Sequence, residues 1–325
     1  MPNTHGRPIA GSVPARQVRT PMLQRGASGK VAAPDPHERS HDGPGPAAAT
    51  GRIAEMQHSL DRLLYHPLAA RLARRLATTP VTPNMVSIAG GLAIVLAGVF
   101  YTRLGWPQAA LLGLATHMTW HVLDGADGDL ARITGRTSAA GEVIDGLSDY
   151  LGHIALYLML ADAAYPAVGA LAWYLAVAAG VSRMVQANFY EVQRRQYLHW
   201  AHGIPWLRTS VPAGPRGLRV VASVYLSGAR MLAPSWPLID RAVANGEAGE
   251  PMRQAVRTLG PHAFTGSALL GANWRTIALG VSMLAGSPLW FFVYEASVLN
   301  IVLAVAAIRA RRVALRLQSA SNTSR

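Results

Sequence analysis

Residues 84–102 carry no charged side chain, and neither do residues 107–123. About 20 apolar residues cross the hydrocarbon core of a bilayer as one α-helix, so each run is close to the length of a span. A third apolar stretch begins near Gly141 and reaches about Ala161. A fourth occupies residues 166–182 and continues as a polar helix to about Tyr197. The last, residues 277–308, contains a single charge, Glu295, and breaks at Gly286, Ser287 and Pro288, where a turn is expected. Inside lipid the backbone has no water to bond, which leaves helices as the spanning element for runs of this kind. The chain therefore reads as an all-α polytopic membrane protein with six transmembrane helices. Half of its residues are hydrophobic and only 14% are charged, in keeping with that class.

Charge gives the orientation. Arg71, Arg74 and Arg75 precede the first run; Arg132 and Arg136 lie between the second and third. Arg194, Arg195, Arg208, Arg216 and Arg219 follow the fourth, and Arg309, Arg311, Arg312 and Arg316 follow the sixth. The alternate connections hold only Arg103. Arginine and lysine concentrate in cytoplasmic loops, so both termini are expected in the cytoplasm of a protein integral to the cell inner membrane. The net charge of +13 is then explained by topology and by phospholipid headgroups as partners. No nucleic-acid motif is present, and no nucleic-acid partner is expected. The absence of cysteine excludes thiol chemistry and disulfides.

Four domains are expected. Residues 1–50 are rich in Pro, Gly, Ala and Arg and cannot bury a core, which predicts a disordered cytoplasmic tail. Residues 51–81 predict an amphipathic juxtamembrane helix, with Ile53, Met56, Leu60, Leu63, Leu64, Leu68, Leu72 and Leu76 on one side and arginines on the other. Such a helix lies in the membrane interface or packs on the protein itself. Residues 82–310 form the transmembrane domain, with Thr82, Pro83 and Asn84 starting its first helix and a cytoplasmic insertion over 198–262. Residues 311–325 form a second cytoplasmic tail.

The chemistry lies where the second run ends and the third begins. Asp124, Asp127, Asp145 and Asp149 sit there, although an acidic residue at a membrane-helix centre costs roughly 2.5–3.5 kcal/mol. Spacings of three and four put Asp124 with Asp127, and Asp145 with Asp149, on single helix faces. Gly128 and Gly141 share those faces and allow close approach. Clustered carboxylates repel unless a cation stands between them, and hard oxygen donors suit Mg²⁺ or Mn²⁺. His117, His121 and His153 are too scattered in sequence to favour zinc. Asp129 and Glu142 fall off the shared faces and read as solvated charges.

These residues spell D-x2-D-G-x2-A-R-x8-G-x3-D-x3-D, and the chain resembles the CDP-alcohol phosphotransferases at every fixed position. Asp124, Asp127, Gly128, Ala131, Arg132, Gly141, Asp145 and Asp149 fill the slots; at ordinary residue usage a chance match is on the order of 10⁻⁷. The resemblance implies attack of a hydroxyl on a CDP-activated lipid or alcohol, with release of CMP. It implies two Mg²⁺ or Mn²⁺ ions held by Asp124, Asp127, Asp145 and Asp149, with Asp149 as general base. It also implies nucleotide contacts by Gly128, Ala131, Gly141 and Arg132, and a homodimer. The donor favoured is CDP-diacylglycerol with a polar alcohol acceptor; the alternative moves a phospho-alcohol from CDP-choline or CDP-ethanolamine to a lipid hydroxyl. A divalent-cation transporter is the competing class, disfavoured because the acidic residues gather at one side only.

Acceptor contacts are expected from the cytoplasmic end of the fourth helix, at Arg183 near Gln186 and Asn188, with Arg194 and Arg195 meeting lipid headgroups. The fifth helix is expected to begin near Thr265, placing Asn273 and Arg275 within the bilayer as further acceptor ligands. An intramembrane arginine is functional by default or snorkels to lipid phosphate.

Overall fold

The computed structural model describes residues 59–103, 107–203, 249–264 and 266–323. The expected 1–50 tail, the start of the juxtamembrane helix and residues 204–248 of the insertion lie outside the described residues. Those described form helices and turns, with no strand among them. A π-turn, Asp61–Tyr65, leads into α1 (His66–Leu76). There follow α2 (Pro83–Arg103), α3 (Gln108–Ile133), α4 (Ala139–Val168), α5 (Leu171–His202) and α6 (Gly249–Phe264). A 3₁₀ turn, Ser267–Leu270, precedes α7 (Ala272–Leu284). Helix α8 (Leu289–Val293) then runs through a second π-turn, Tyr294–Val298, into α9 (Leu299–Thr323).

Local chemistry sets the boundaries near the aspartates. The Thr82 hydroxyl accepts from the Met85 N–H at 3.3 Å, and Pro83 opens α2 where a missing N–H costs nothing. The Ser138 hydroxyl accepts from the Gly141 N–H at 3.0 Å and caps α4. Two expected boundaries move. Helix α4 runs through Pro166 and stops at Gly169, whose φ of +59° suits glycine, so the next helix starts at Leu171 rather than at Pro166. Helix α7 starts at Ala272 rather than near Thr265, because the 3₁₀ turn and the extended backbone of Gly271 intervene. Its 13 residues extend about 20 Å, short of a bilayer core.

Among the described residues, three helices are long and apolar enough to cross a membrane: Pro83–Arg103, Ala140–Val168 and Leu289–Ser319. Their outer faces remain apolar. Met85, Ile88, Leu92 and Leu96 line an exposed stripe on α2, and Leu147, Leu151, Ile154 and Leu158 line one on α4. In water such stripes would drive aggregation; lipid is the solvent that suits them.

Helix α2 is the mounting on which the rest is arranged. It packs along both α3 and α4, while α3 and α4 make almost no close backbone approach to each other. The α2–α4 crossing is tight: a Cβ on Gly91 would stand 2.7 Å from the Ser148 carbonyl oxygen, and one on Gly152 would stand 2.9 Å from the Gly91 oxygen. On the other side Ala69 and Ala73 of α1, fully buried, meet Val86, Ala126 and Leu130. Helix α1 thus packs its small residues on the protein, while Leu63 is 71% exposed and Leu68 40% exposed. A central core of Ile94, Trp120, Leu156, Leu160, Leu279 and Phe292 fills the bundle. A second cluster joins the end of α5 to α6 and α9 through Trp200, Val256 and Leu317.

Candidate active site

The gap between α3 and α4 is where the aspartates stand. Ligand oxygens of Asp124, Asp145 and Asp149 all lie within 4.8 Å of one another, Asp124 being exposed and the other two half-buried. Asp127 is buried; it accepts from the Ser87 hydroxyl at 2.5 Å and lies within hydrogen-bonding reach of Asp145. Sequence-adjacent ends of two antiparallel helices, both mounted on α2, are what bring the two pairs together. Three carboxylates this close, open to solvent at Asp124, repel unless a cation intervenes. Their hard oxygen donors fit a divalent ion of the Mg²⁺ or Mn²⁺ kind.

The small residues of the motif lie beside this cleft. Gly141 is held under the Ser138 hydroxyl and Asn84, which a Cβ would meet at 3.2 and 3.4 Å. Gly128 and Ala131 are half-buried on α3. Arg132 pairs with Asp129 at 2.6 Å, so Asp129, only 6% exposed, is a buried partner of Arg132 and not the solvated turn charge expected. Glu142 likewise has a partner, Arg195, at 3.0 Å.

Behind Asp149 lies a set of buried rings. The Trp120 indole donates to Asp149 Oδ1 at 2.7 Å. His117 and His121, one turn apart on α3, and His153 of α4 gather around it: Trp120 lies 4.4 Å from His121 and 4.8 Å from His153 between ring centroids, and His117 lies 5.7 Å from His153. Their nitrogens do not converge as a metal site. His153 Nδ1 meets the Asp149 carbonyl at 2.8 Å and its Nε2 meets Arg183 at 2.8 Å, while His121 Nε2 meets Thr276 at 2.9 Å. Because a carbonyl only accepts and a guanidinium only donates, His153 carries its proton on Nδ1.

Of the expected acceptor ligands, Arg183 is partly exposed, between His153 and Glu295. Asn273 donates to Asp61 at 2.8 Å and ties the entry to α1 to the start of α7. Arg275 neither reaches lipid nor stands free. It is 1% exposed and donates to Glu295 at 2.6 Å, Gln186 at 2.9 Å and the Leu270 carbonyl at 3.2 Å. Arg194 and Arg195 both pair with Glu191, at 2.9 and 2.5 Å, rather than reaching for headgroups. Sequence reasoning passed over Ser87 and Trp120 as site neighbours. The Trp in a helix bearing the aspartates, one turn before Asp124, was the available signal.

The described residues thus combine helices of membrane-crossing length and apolarity with a cluster of acidic side chains whose oxygens would suit a divalent cation. Residues 80–226 match the family model described as CDP-alcohol phosphatidyltransferase; the chain carries a domain of that family. The match takes in α2, α3, α4 and α5. The family consists of phosphotransferases of phospholipid synthesis that act on CDP-alcohols in membranes, generally with divalent cations. A comparison with curated proteins found no match.

Proposed function

We propose that the protein transfers the phosphatidyl group of CDP-diacylglycerol to a polar alcohol and releases CMP. The observation that carries this reading is the convergence of Asp124, Asp145 and Asp149 within the segment that matches the family. In this reading residues 82–310 form the six-span catalytic domain, the fifth span being the short α7 extended by the 3₁₀ turn before it, with both termini and the aspartates on the cytoplasmic side of the inner membrane. Helix α1 and the π-turn before it lie at the interface, with Leu63 and Leu68 toward lipid and the alanines of α1 on the bundle. Helix α3 is long enough to span at 26 residues, about 39 Å.

Asp124, Asp127, Asp145 and Asp149 would hold two Mg²⁺ or Mn²⁺ ions, which when bound neutralise the pyrophosphate and the charge growing on the leaving phosphate. The acceptor oxygen forms a bond to the β-phosphorus as the bond from that phosphorus to the bridging oxygen breaks, and CMP departs with the bridging oxygen. Asp149 takes the hydroxyl proton. Gly128, Ala131 and Gly141 leave room for the nucleotide along the two helices. Arg132, tied to Asp129, anchors the end of α3 beneath it. Arg183 offers a cationic contact to the acceptor side. Arg275 is assigned a structural role instead, because its donors are already taken. These contributions are positioning and charge stabilisation, which this class of transfer chiefly needs.

CMP release by the purified protein in lipid tests the reading. CDP-diacylglycerol is offered with glycerol phosphate, inositol, inositol phosphate or serine, and CDP-choline or CDP-ethanolamine with diacylglycerol. Acceptor-dependent CMP from the first arm, lost without divalent metal and in Asp149→Asn, supports it. CMP from the second arm alone replaces it with transfer to a lipid hydroxyl, and Asp-dependent cation flux into vesicles without CMP overturns it.

A further inference from the structure

We infer that Trp120 is a positioning residue that locks the carboxylate of Asp149 through its indole N–H, an inference that rests on the proposed function for its catalytic consequence. The bond from Trp120 Nε1 to Asp149 Oδ1 measures 2.7 Å and joins helices whose backbones hardly approach each other. A long, rigid side chain with a polar tip can bridge that gap from an apolar wall, and indole fits that description. Its N–H donates and cannot accept, so it claims one oxygen of Asp149 and leaves Oδ2 for the cleft.

The indole itself is not free to turn. It is 5% exposed and is held by His121, His153 and His117 at ring separations of 4.4, 4.8 and 5.6 Å. Helix α2 makes space for it: a Cβ on Gly90 would stand 3.4 Å from Trp120 Cδ1. Gly90, Trp120 and the imidazoles thus form a rigid backing for one side chain, Asp149, whose neighbours Asp124 and Asp145 would otherwise repel it into other rotamers. Outer-sphere donors of this kind orient ligands, and removing one costs on the order of 10–100-fold in metal affinity or activity.

Trp120→Phe keeps an aromatic ring and removes the N–H together with the five-membered ring that carries it. Mn²⁺ binding is followed by electron paramagnetic resonance on the full-length protein in detergent, without substrate, alongside CMP release. The dissociation constant for Mn²⁺ rises about 10-fold and kcat falls about 10-fold, with KM for the CDP-linked donor within about two-fold of wild type. Tyr101→Phe, which trims a buried hydroxyl that makes no hydrogen bond, changes neither. Wild-type Mn²⁺ affinity in Trp120→Phe overturns the inference. Should that variant fail to fold, indole N–H resonances of ¹⁵N-Trp-labelled wild type and Asp149→Ala decide instead: one resonance moves upfield if the bond exists, and none moves if it does not. If no donor yields CMP, the proposed function falls while the Mn²⁺ and resonance measurements still judge the bond.

Discussion

Arg275 at the start of α7 and Glu295 in the π-turn between α8 and α9 meet at 2.6 Å with both side chains buried. Gln186 of α5 stitches them to a third helix: its amide oxygen accepts from Arg275 and its amide nitrogen donates to the Glu295 carbonyl and to Asn300. The extra residue of a π-turn re-aims a side chain, and here it turns Glu295 inward to meet the cation. The pair closes the short helix α7 onto the bundle.

Removing either partner leaves the other's buried charge poorly compensated, Glu295 keeping only the longer 3.8 Å contact to Arg183, at a cost of up to about 3–5 kcal/mol. Arg275→Met or Glu295→Leu is expected to lower the unfolding midpoint in detergent sharply, and Arg275→Met with Glu295→Leu to recover much of the loss. Equal losses in the single and double variants would show that the pair is not coupled.

The α2–α4 crossing predicts opposite outcomes for two glycines of one helix. A Cβ on Gly152 meets the backbone of Gly91 at 2.9 Å, whereas one on Gly146 meets nothing within 4 Å. Gly152→Ala therefore prises α4 from α2 and lowers stability by about 1–3 kcal/mol. Gly146→Ala gains about 0.5–1 kcal/mol from reduced backbone entropy. Denaturant unfolding of both variants checks the contrast.

Metal removal should separate the aspartates from their surroundings. Asp145→Asn and Asp124→Asn are expected to weaken Mn²⁺ binding at least 10-fold and to lower CMP release by about 100-fold, with the helical circular dichroism retained. Ser87→Ala, which removes one hydrogen bond to Asp127, should cost about 1–3 kcal/mol of stability. Calorimetric titration with Mn²⁺ distinguishes loss of a ligand from loss of the fold.

Glu191 supplies a pH test in the polar extension of α5. Burial raises its carboxyl pKa, but Arg194 and Arg195 outweigh burial and hold it well below the usual carboxylate range. A depressed folded-state value contributes stability above the unfolded value of about 4.3 and loses it as pH falls through the folded one. Glu191→Gln should thus lower the melting temperature at pH 7, with the gap to wild type persisting to about pH 4.5 and narrowing in stronger acid. A gap that widens below pH 4 would contradict this assignment.

Much of the plan was readable along the chain. The runs at 84–102 and 107–123 announced α2 and most of α3, and Gly286 with Pro288 marked the turn before α8. The aspartate spacings placed each pair on one face, since helical periodicity is a local rule. Partnerships across helices were not readable in this way. Asp129 reads as a solvated charge and Arg194 as a headgroup contact, although their partners, Arg132 and Glu191, stand three residues away on the same helices; burial and rotamer choice, not spacing, select those pairs. His153 looked remote from His117 and His121, which share one face of α3, because side chains of α3 and α4 meet only in the folded bundle.

The order of residues by itself determined the helical class, the apolar lengths, the pairing of aspartates and the family to which residues 80–226 point. All of these depend on composition and on spacings within a turn or two of helix. Tertiary structure alone decided that Arg275 faces Glu295, that Trp120 backs Asp149 and that α2 carries the two aspartate helices. Those contacts join residues 20 and 29 positions apart, or more, and arise only when helix crossings, fixed by glycine contacts and core volume, bring distant faces together.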